Sequence, residues 1–201
     1  MGYQTLIFDL GNVLVSFHQE QMFSQIATLT GLTPEVVREI MIDQRIGHQV
    51  ERGLITPEEV HQTFQIKTSQ SFPISEFLQA ASTVFSPRKE METLVQTLKQ
   101  KRYQLILLSN TSEPHYTYVA THYTVLTHFD HIVLSYEVGS LKPEKAIFEH
   151  ALSQGNASPS RSFFIDDILE NVHGAERLGI RGHHFTSLQN LMHDLIQTGI
   201  L

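Results

Sequence analysis

Asp9, Ser109, Asn110, Lys142, Asp166 and Asp167 are the residues of this 201-residue sequence whose types and placement suit chemistry. Each closes a short apolar run or lies just beyond one. Asp9 ends "LIFD", Ser109-Asn110-Thr111 ends "LILLSNT", Lys142 lies in the loop "GSLKP", and Asp166-Asp167 ends "FFIDD". If the fold gathers these run ends, three carboxylates meet and repel one another unless a cation neutralises them. An all-oxygen set suits Mg2+, which keeps several waters and shares its coordination with phosphate oxygens. The hydroxyl, the amide and the lysine would then hold an anionic group. A nucleophilic carboxylate, a divalent cation and a positive clamp together equip a site for phosphoryl transfer through an aspartyl-phosphate.

Each residue taken singly has a plainer reading. Asp9 could be a strand-end turn residue satisfied by backbone N–H groups, with Gly11-Asn12 as a tight turn. Ser109-Asn110 could cap a helix, and Lys142 before Pro143 could be solvated. The Asp166-Asp167 pair could sit on a helix N-terminus, where negative charge is favoured. Asn171, within a predicted helix, divides evenly between site and packing.

The elements that must position these residues follow from the apolar pattern. Continuous apolar runs at 4–9, 103–109, 131–135, 162–166 and 180–185 suit strands covered on both faces, as in a parallel sheet. Helical patterns lie between them: 87–101 with Met91, Leu94, Val95 and Leu98 at 3/4 spacing, 143–153, and 168–178 before Gly179. The alternation predicts an α/β fold, a Rossmann-like doubly wound parallel sheet. In such sheets ligands sit beyond the carboxyl ends of the strands, where the six residues fall. The stretch 17–85 breaks the alternation. It holds helical patterns but no convincing strand, and Thr33-Pro34-Glu35 and Thr56-Pro57-Glu58-Glu59 read as helix starts. It is expected to form a helical cap, with 1–16 and 86–201 as the catalytic core.

Composition narrows the partners. A net charge of −7 argues against nucleic acid or an anionic membrane surface. The absence of cysteine excludes disulfides and thiolate metal sites, and twelve histidines show no metal-binding spacing. No apolar stretch approaches membrane-spanning length and no basic, apolar leader opens the chain, so a cytoplasmic protein is expected.

Four segments in order, "FDLGNVL", "LLSNTS", "LKPEKAIFEHAL" and "FFIDDILENVHGAERLGI", make the sequence resemble the haloacid dehalogenase superfamily of hydrolases over roughly its whole length. Within it, "FDLGN" and the cap segment "HQVERG" are most similar to the bacterial α-D-glucose-1-phosphate phosphatase type. The resemblance implies that Asp9 is the nucleophile and a Mg2+ ligand, and that Gly11 offers its backbone carbonyl to the metal. It implies that Ser109 and Asn110 hold the phosphoryl group and that Lys142 steadies the charge on nucleophile and phosphate. Asp167 would be the principal acidic metal ligand, with Asp166 supporting it and Asn171 a weaker candidate. His48 and Arg52 in the cap segment are weak candidates for substrate contacts. The implied activity is that of a Mg2+-dependent phosphatase acting on a small phosphorylated metabolite.

One position departs from the pattern. Phosphatases of this superfamily usually carry a second aspartate two residues after the nucleophile, which protonates the leaving oxygen and then activates water. Here Gly11 stands there, with no side chain to move a proton. Acid–base catalysis of this kind contributes about a hundred- to ten-thousandfold. The departure leaves three expectations: a phosphatase favouring good leaving groups such as a sugar 1-phosphate, a 2-haloacid dehalogenase-like hydrolase, or a non-catalytic phosphometabolite-binding protein. The paired aspartates of "FFIDD" favour the first, because halide displacement at carbon needs no divalent metal.

Overall fold

The computed structural model describes residues 2–201. In chain order its strands are β1 (Thr5–Phe8), β2 (Val15–Phe17), β3 (Phe85–Pro87), β4 (Gln104–Ser109), β5 (His131–Leu134), β6 (Ser162–Asp166) and β7 (Arg181–His184). Its helices are α1 (Gln19–Thr30), α2 (Pro34–Arg38), α3 (Ile46–Glu51), α4 (Pro57–Thr68), α5 (Ile74–Ser82), α6 (Lys89–Gln100), α7 (Glu113–His122), α8 (Ser135–Val138), α9 (Lys145–Gln154), α10 (Leu169–Glu176) and α11 (Leu188–Gln197).

The five apolar runs form one parallel sheet in the order β5-β4-β1-β6-β7, so the chain winds outward from β1 in both directions. Residue alternation explains why the runs are continuously apolar. Leu6 and Phe8 of β1, Leu105 and Leu107 of β4, and Phe163 and Ile165 of β6 enter one core, closed by Met91, Leu94, Val95 and Leu98 of α6 and Leu191 and Leu195 of α11. Their neighbours Ile7, Ile106, Leu108 and Phe164 enter a second core, closed by Ile147, Phe148 and Ala151 of α9 and Ala175 of α10. The three central strands, β4, β1 and β6, are therefore buried on both faces along their apolar residues, and their polar side chains gather at the strand ends.

A third core lies among helices α1 to α5, built on Phe23, Ile26, Val37, Ile40, Phe64 and Phe77. Two of these helices begin where the sequence signals stand. Thr33 Oγ1 accepts from Val36 N ahead of Pro34. Thr56 and Glu59 form a reciprocal capping box, with Glu59 N donating to Thr56 Oγ1 at 3.2 Å and Thr56 N donating to Glu59 Oε2 at 2.7 Å. The chain leaves for these helices along β2 and returns along β3, and the two strands pair antiparallel, Phe17 opposite Phe85. This small ribbon is not foreseen from the sequence, because three residues are too few to show a period. Among the described residues, no helix is long and apolar enough to cross a membrane.

Candidate active site

Asp9 follows the last residue of β1, and its N–H still donates to Ile165 O at 2.9 Å, so the sheet ladder fixes its backbone. The chain then turns sharply. Leu14 N and Val15 N both donate to Leu10 O, and Asn12 takes a left-handed conformation at φ 56°. Asn12 also uses its side chain. Its Oδ1 accepts from Phe17 N at 3.2 Å and its Nδ2 donates to Asp167 Oδ2 at 3.2 Å, tying the turn to the ribbon and to the acidic pair. Sequence reasoning places Asn12 in a turn but misses this second role.

Lys142 is 4 % exposed, so the solvated reading does not hold. Its ammonium donates to Asp9 Oδ1 at 2.6 Å, Asp166 Oδ2 at 2.7 Å and Leu108 O at 3.0 Å, which occupies all three donors. Asn110 positions it. Lys142 N donates to Asn110 Oδ1 at 2.8 Å and Asn110 Nδ2 donates to Lys142 O at 3.0 Å. The side-chain amide of Asn110 is thus taken up by the lysine backbone, and what it leaves for an anion is its own N–H. Ser109 Oγ has only a long contact of 3.4 Å to Asn110 O and is the hydroxyl with freedom to rotate.

The acidic pair divides its work. Asp166 is fully buried, and both its oxygens are engaged: Oδ1 by Ile168 N at 2.8 Å and Asn171 Nδ2 at 3.1 Å, Oδ2 by Lys142 and Asn171. Asn171 therefore holds Asp166. Asp167 is half-buried, and Asn12 is its side-chain donor. Carboxylate oxygens of Asp9, Asp166 and Asp167 lie within 4.8 Å of one another. Burial raises the pKa of Asp9 above the carboxylate range, Lys142 opposes it, and Asp166 and Asp167 add like charge. Burial and Asp166 raise Asp167 as well. Burial works against the charge of Lys142, yet Asp166 and Asp9 hold its ammonium above its ordinary pKa. Among the described residues, one cation thus faces three acids, two of them buried. An all-oxygen set carrying surplus negative charge fits a hard divalent cation such as Mg2+.

The segment read as "HQVERG" comes up to this site from the third core. It spans the end of α3 and the turn beyond it. Gly53 has φ +67°, and a Cβ there would sit 2.3 Å from Tyr136 O of α8, so both conformation and contact require glycine. Arg52 pairs with Glu144, whose Oε2 accepts from Ser140 Oγ at 2.8 Å and Leu141 N at 3.3 Å in the lysine loop. His48 is exposed and stands apart from these contacts. Sequence reasoning misses Glu144, although its place two residues after Lys142 is a signal.

The model of the haloacid dehalogenase-like hydrolase family matches residues 3–179. A sesquiterpene phosphatase of Aspergillus oryzae is 27 % identical over 187 residues, covering 92 % of this chain and 90 % of that protein. A D-ribitol-5-phosphate phosphatase of Bacteroides thetaiotaomicron is 25 % identical over 186 residues, covering 88 % of each. A HAD family enzyme of Bacteroides thetaiotaomicron superposes with a TM-score of 0.86 at 26 % identity, over 97 % of this chain and 99 % of that one. That enzyme's complex with magnesium and inorganic phosphate superposes with a TM-score of 0.79 at 25 % identity, over 94 % and 99 %.

Proposed function

The chain belongs to the haloacid dehalogenase-like hydrolases, and from that premise we propose that it is a Mg2+-dependent phosphatase of small phosphorylated metabolites with Asp9 as nucleophile. The observation that carries this reading is the buried Lys142 ammonium held between Asp9 and Asp166, with Asp167 alongside. Asp9 Oδ1 is pinned by the lysine, while its Oδ2 accepts no hydrogen bond among the described residues and is the oxygen that attacks phosphorus. Ser109 Oγ and the Asn110 N–H hold the phosphoryl oxygens. Asp9, the Gly11 carbonyl and Asp167 would hold Mg2+, with Asp166 supporting them from its own network. Bound there, the ion would offset the charge of the carboxylates and of the phosphoryl group. Helices α1 to α5, residues 17–85, act as the cap that excludes water and selects the substrate.

The substrate panel takes glucose 1-phosphate from the sequence resemblance, ribitol 5-phosphate and a sesquiterpenyl phosphate from the relatives' names, and 4-nitrophenyl phosphate as an activated ester, each with Mg2+ and with EDTA. Phosphate release that needs Mg2+ and vanishes in Asp9→Asn supports the reading. Halide release from a 2-haloacid without metal, with no ester hydrolysed, would replace it by the dehalogenase. Binding of phosphate esters without turnover of any would make the protein a binding module.

A further inference from the structure

The proposed phosphatase chemistry needs a proton for the leaving oxygen and then a base for the attacking water, and the assignment of either task rests on that reading. Among the described residues, the charged groups of the core site are already committed. Lys142 has its three donors committed, and Asp166 has both oxygens engaged. Asp9 is the nucleophile, and Asp167 belongs to the carboxylate cluster and holds Asn12. Gly11 has no side chain.

The helical unit supplies a candidate. Glu51 is the last residue of α3 and stands immediately before the two anchors that fasten this segment to the core. Arg52 grips Glu144 two residues past Lys142, and Gly53 rests on the carbonyl of Tyr136. These anchors fix the backbone of the helix end against the lysine loop. Glu51 lies in the electrostatic field of Lys142, and its neighbouring cation Arg52 is taken by Glu144. The Glu51 carboxyl is half-buried and has no hydrogen-bond or ion-pair partner among the described residues. A half-buried carboxyl that no side chain engages is available for proton transfer. Burial pushes its pKa up to about 7, with Lys142 drawing it partly back. At neutral pH it is therefore divided between acid and base forms.

We propose that Glu51 is the proton-transfer residue of this enzyme, acting from the cap in place of a side chain at position 11. In the first half-reaction an Asp9 oxygen forms a bond to phosphorus as the bond from phosphorus to the leaving oxygen breaks. The Glu51 proton passes to that oxygen, releasing the alcohol. In the second, water forms a bond to phosphorus as the Asp9–phosphorus bond breaks. The water proton passes to the Glu51 carboxylate, restoring both residues and releasing inorganic phosphate. The net change is ester plus water to alcohol plus phosphate. Because the proton donor rides on the helical unit, leaving-group protonation occurs only while α3 is docked on the core.

Glu51→Gln tests this with two esters in saturating Mg2+: 4-nitrophenyl phosphate, whose leaving group needs no proton, and benzyl phosphate, whose leaving group does. In rapid-quench experiments the variant should release one equivalent of nitrophenol at a rate close to wild type, then turn over slowly. Steady-state hydrolysis of benzyl phosphate should fall by about a hundred- to ten-thousandfold in kcat with little change in KM. Adding Gly11→Asp to Glu51→Gln should restore benzyl phosphate turnover. The site has room, since the nearest atom to a Cβ at position 11 is Phe17 Cβ at 4.0 Å. Wild-type rates on benzyl phosphate in Glu51→Gln would overturn the proposal, as would loss of the burst together with turnover, or a change in KM alone. If wild-type protein hydrolyses neither ester, or does so in Asp9→Asn as well, the phosphatase reading itself falls, and this proposal with it.

Discussion

At the scale of single residues, the site is governed by charge balance. Lys142 bridges the buried carboxylates of Asp9 and Asp166, and among the described residues neither acid has another cation within hydrogen-bond reach. Removing one partner of a buried pair costs about 3–5 kcal/mol. Lys142→Met should therefore lower stability by that order in urea unfolding and abolish turnover, and added Mg2+ should recover part of the stability by replacing the missing charge. Asn110→Ala removes two hydrogen bonds to the Lys142 backbone, worth about 1 kcal/mol each. Its kcat should fall while KM for a phosphate ester stays near wild type, because the amide positions the lysine; a rise in KM alone would give that amide to the phosphate. All six residues singled out in the sequence are brought together at one sheet edge, and the reason is physical. A strand covered on both faces confines its polar residues to its end, and the parallel sheet sets these ends side by side. Which oxygen serves which partner was not legible. That Asn171 serves Asp166, and that Asn12 bridges to Asp167, depends on side-chain directions set by the fold rather than on residue type.

At the scale of elements, the continuous apolar runs and the 3/4-spaced helices were readable because each repeats its signal several times. The ribbon of β2 and β3 was not, since its three-residue strands carry no periodic signal and its pairing joins residues 68 or more positions apart, as Phe17 and Phe85 are. Where the ribbon meets α7, His115 is packed against Phe17 and Phe85, and its Nε2 lies 3.1 Å from Ala81 O. Burial pulls its pKa from the ordinary 6.5 down to about 4, with the Ala81 carbonyl opposing. The folded protein thus refuses a proton that the unfolded chain accepts below pH 6.5, so stability is present above that pH and is lost as pH falls towards 4. The loss is on the order of 2–3 kcal/mol. Urea unfolding at pH 7.5 and pH 5 should show it in wild type, and His115→Gln should show a smaller difference; an equal difference in both would place the acid sensitivity elsewhere. At the other junction, Gly53→Ala adds a Cβ 2.3 Å from the Tyr136 carbonyl at a positive φ. That strain costs about 1–3 kcal/mol. It should lift the end of α3 from the core and reduce kcat for esters of poor leaving groups more than for 4-nitrophenyl phosphate.

At the scale of the whole molecule, a doubly wound sheet gathers four strand ends into one acidic edge, and a helical unit inserted after the first of them reaches back over that edge. The insertion is tethered by the ribbon at one side and by Arg52–Glu144 at the other. Such a layout fixes Asp9 on the sheet ladder while the helical unit keeps a core of its own. A ligand that binds only the folded state adds stability by mass action, about 2.7 kcal/mol at a hundredfold excess over its dissociation constant. Mg2+ should therefore raise the melting temperature of the wild type, and Asp167→Asn should lose most of that rise; an undiminished rise would move the ion away from the acidic edge. The central claim, that Asp9 carries the phosphoryl group, is tested most directly by acid-quenching the enzyme during turnover of 4-nitrophenyl phosphate with Mg2+ and weighing its peptides. The account predicts a peptide containing Asp9 heavier by one phosphoryl group and no such species in Asp9→Asn. Turnover that leaves Asp9 unmodified, or that continues undiminished in Asp9→Asn, would contradict it.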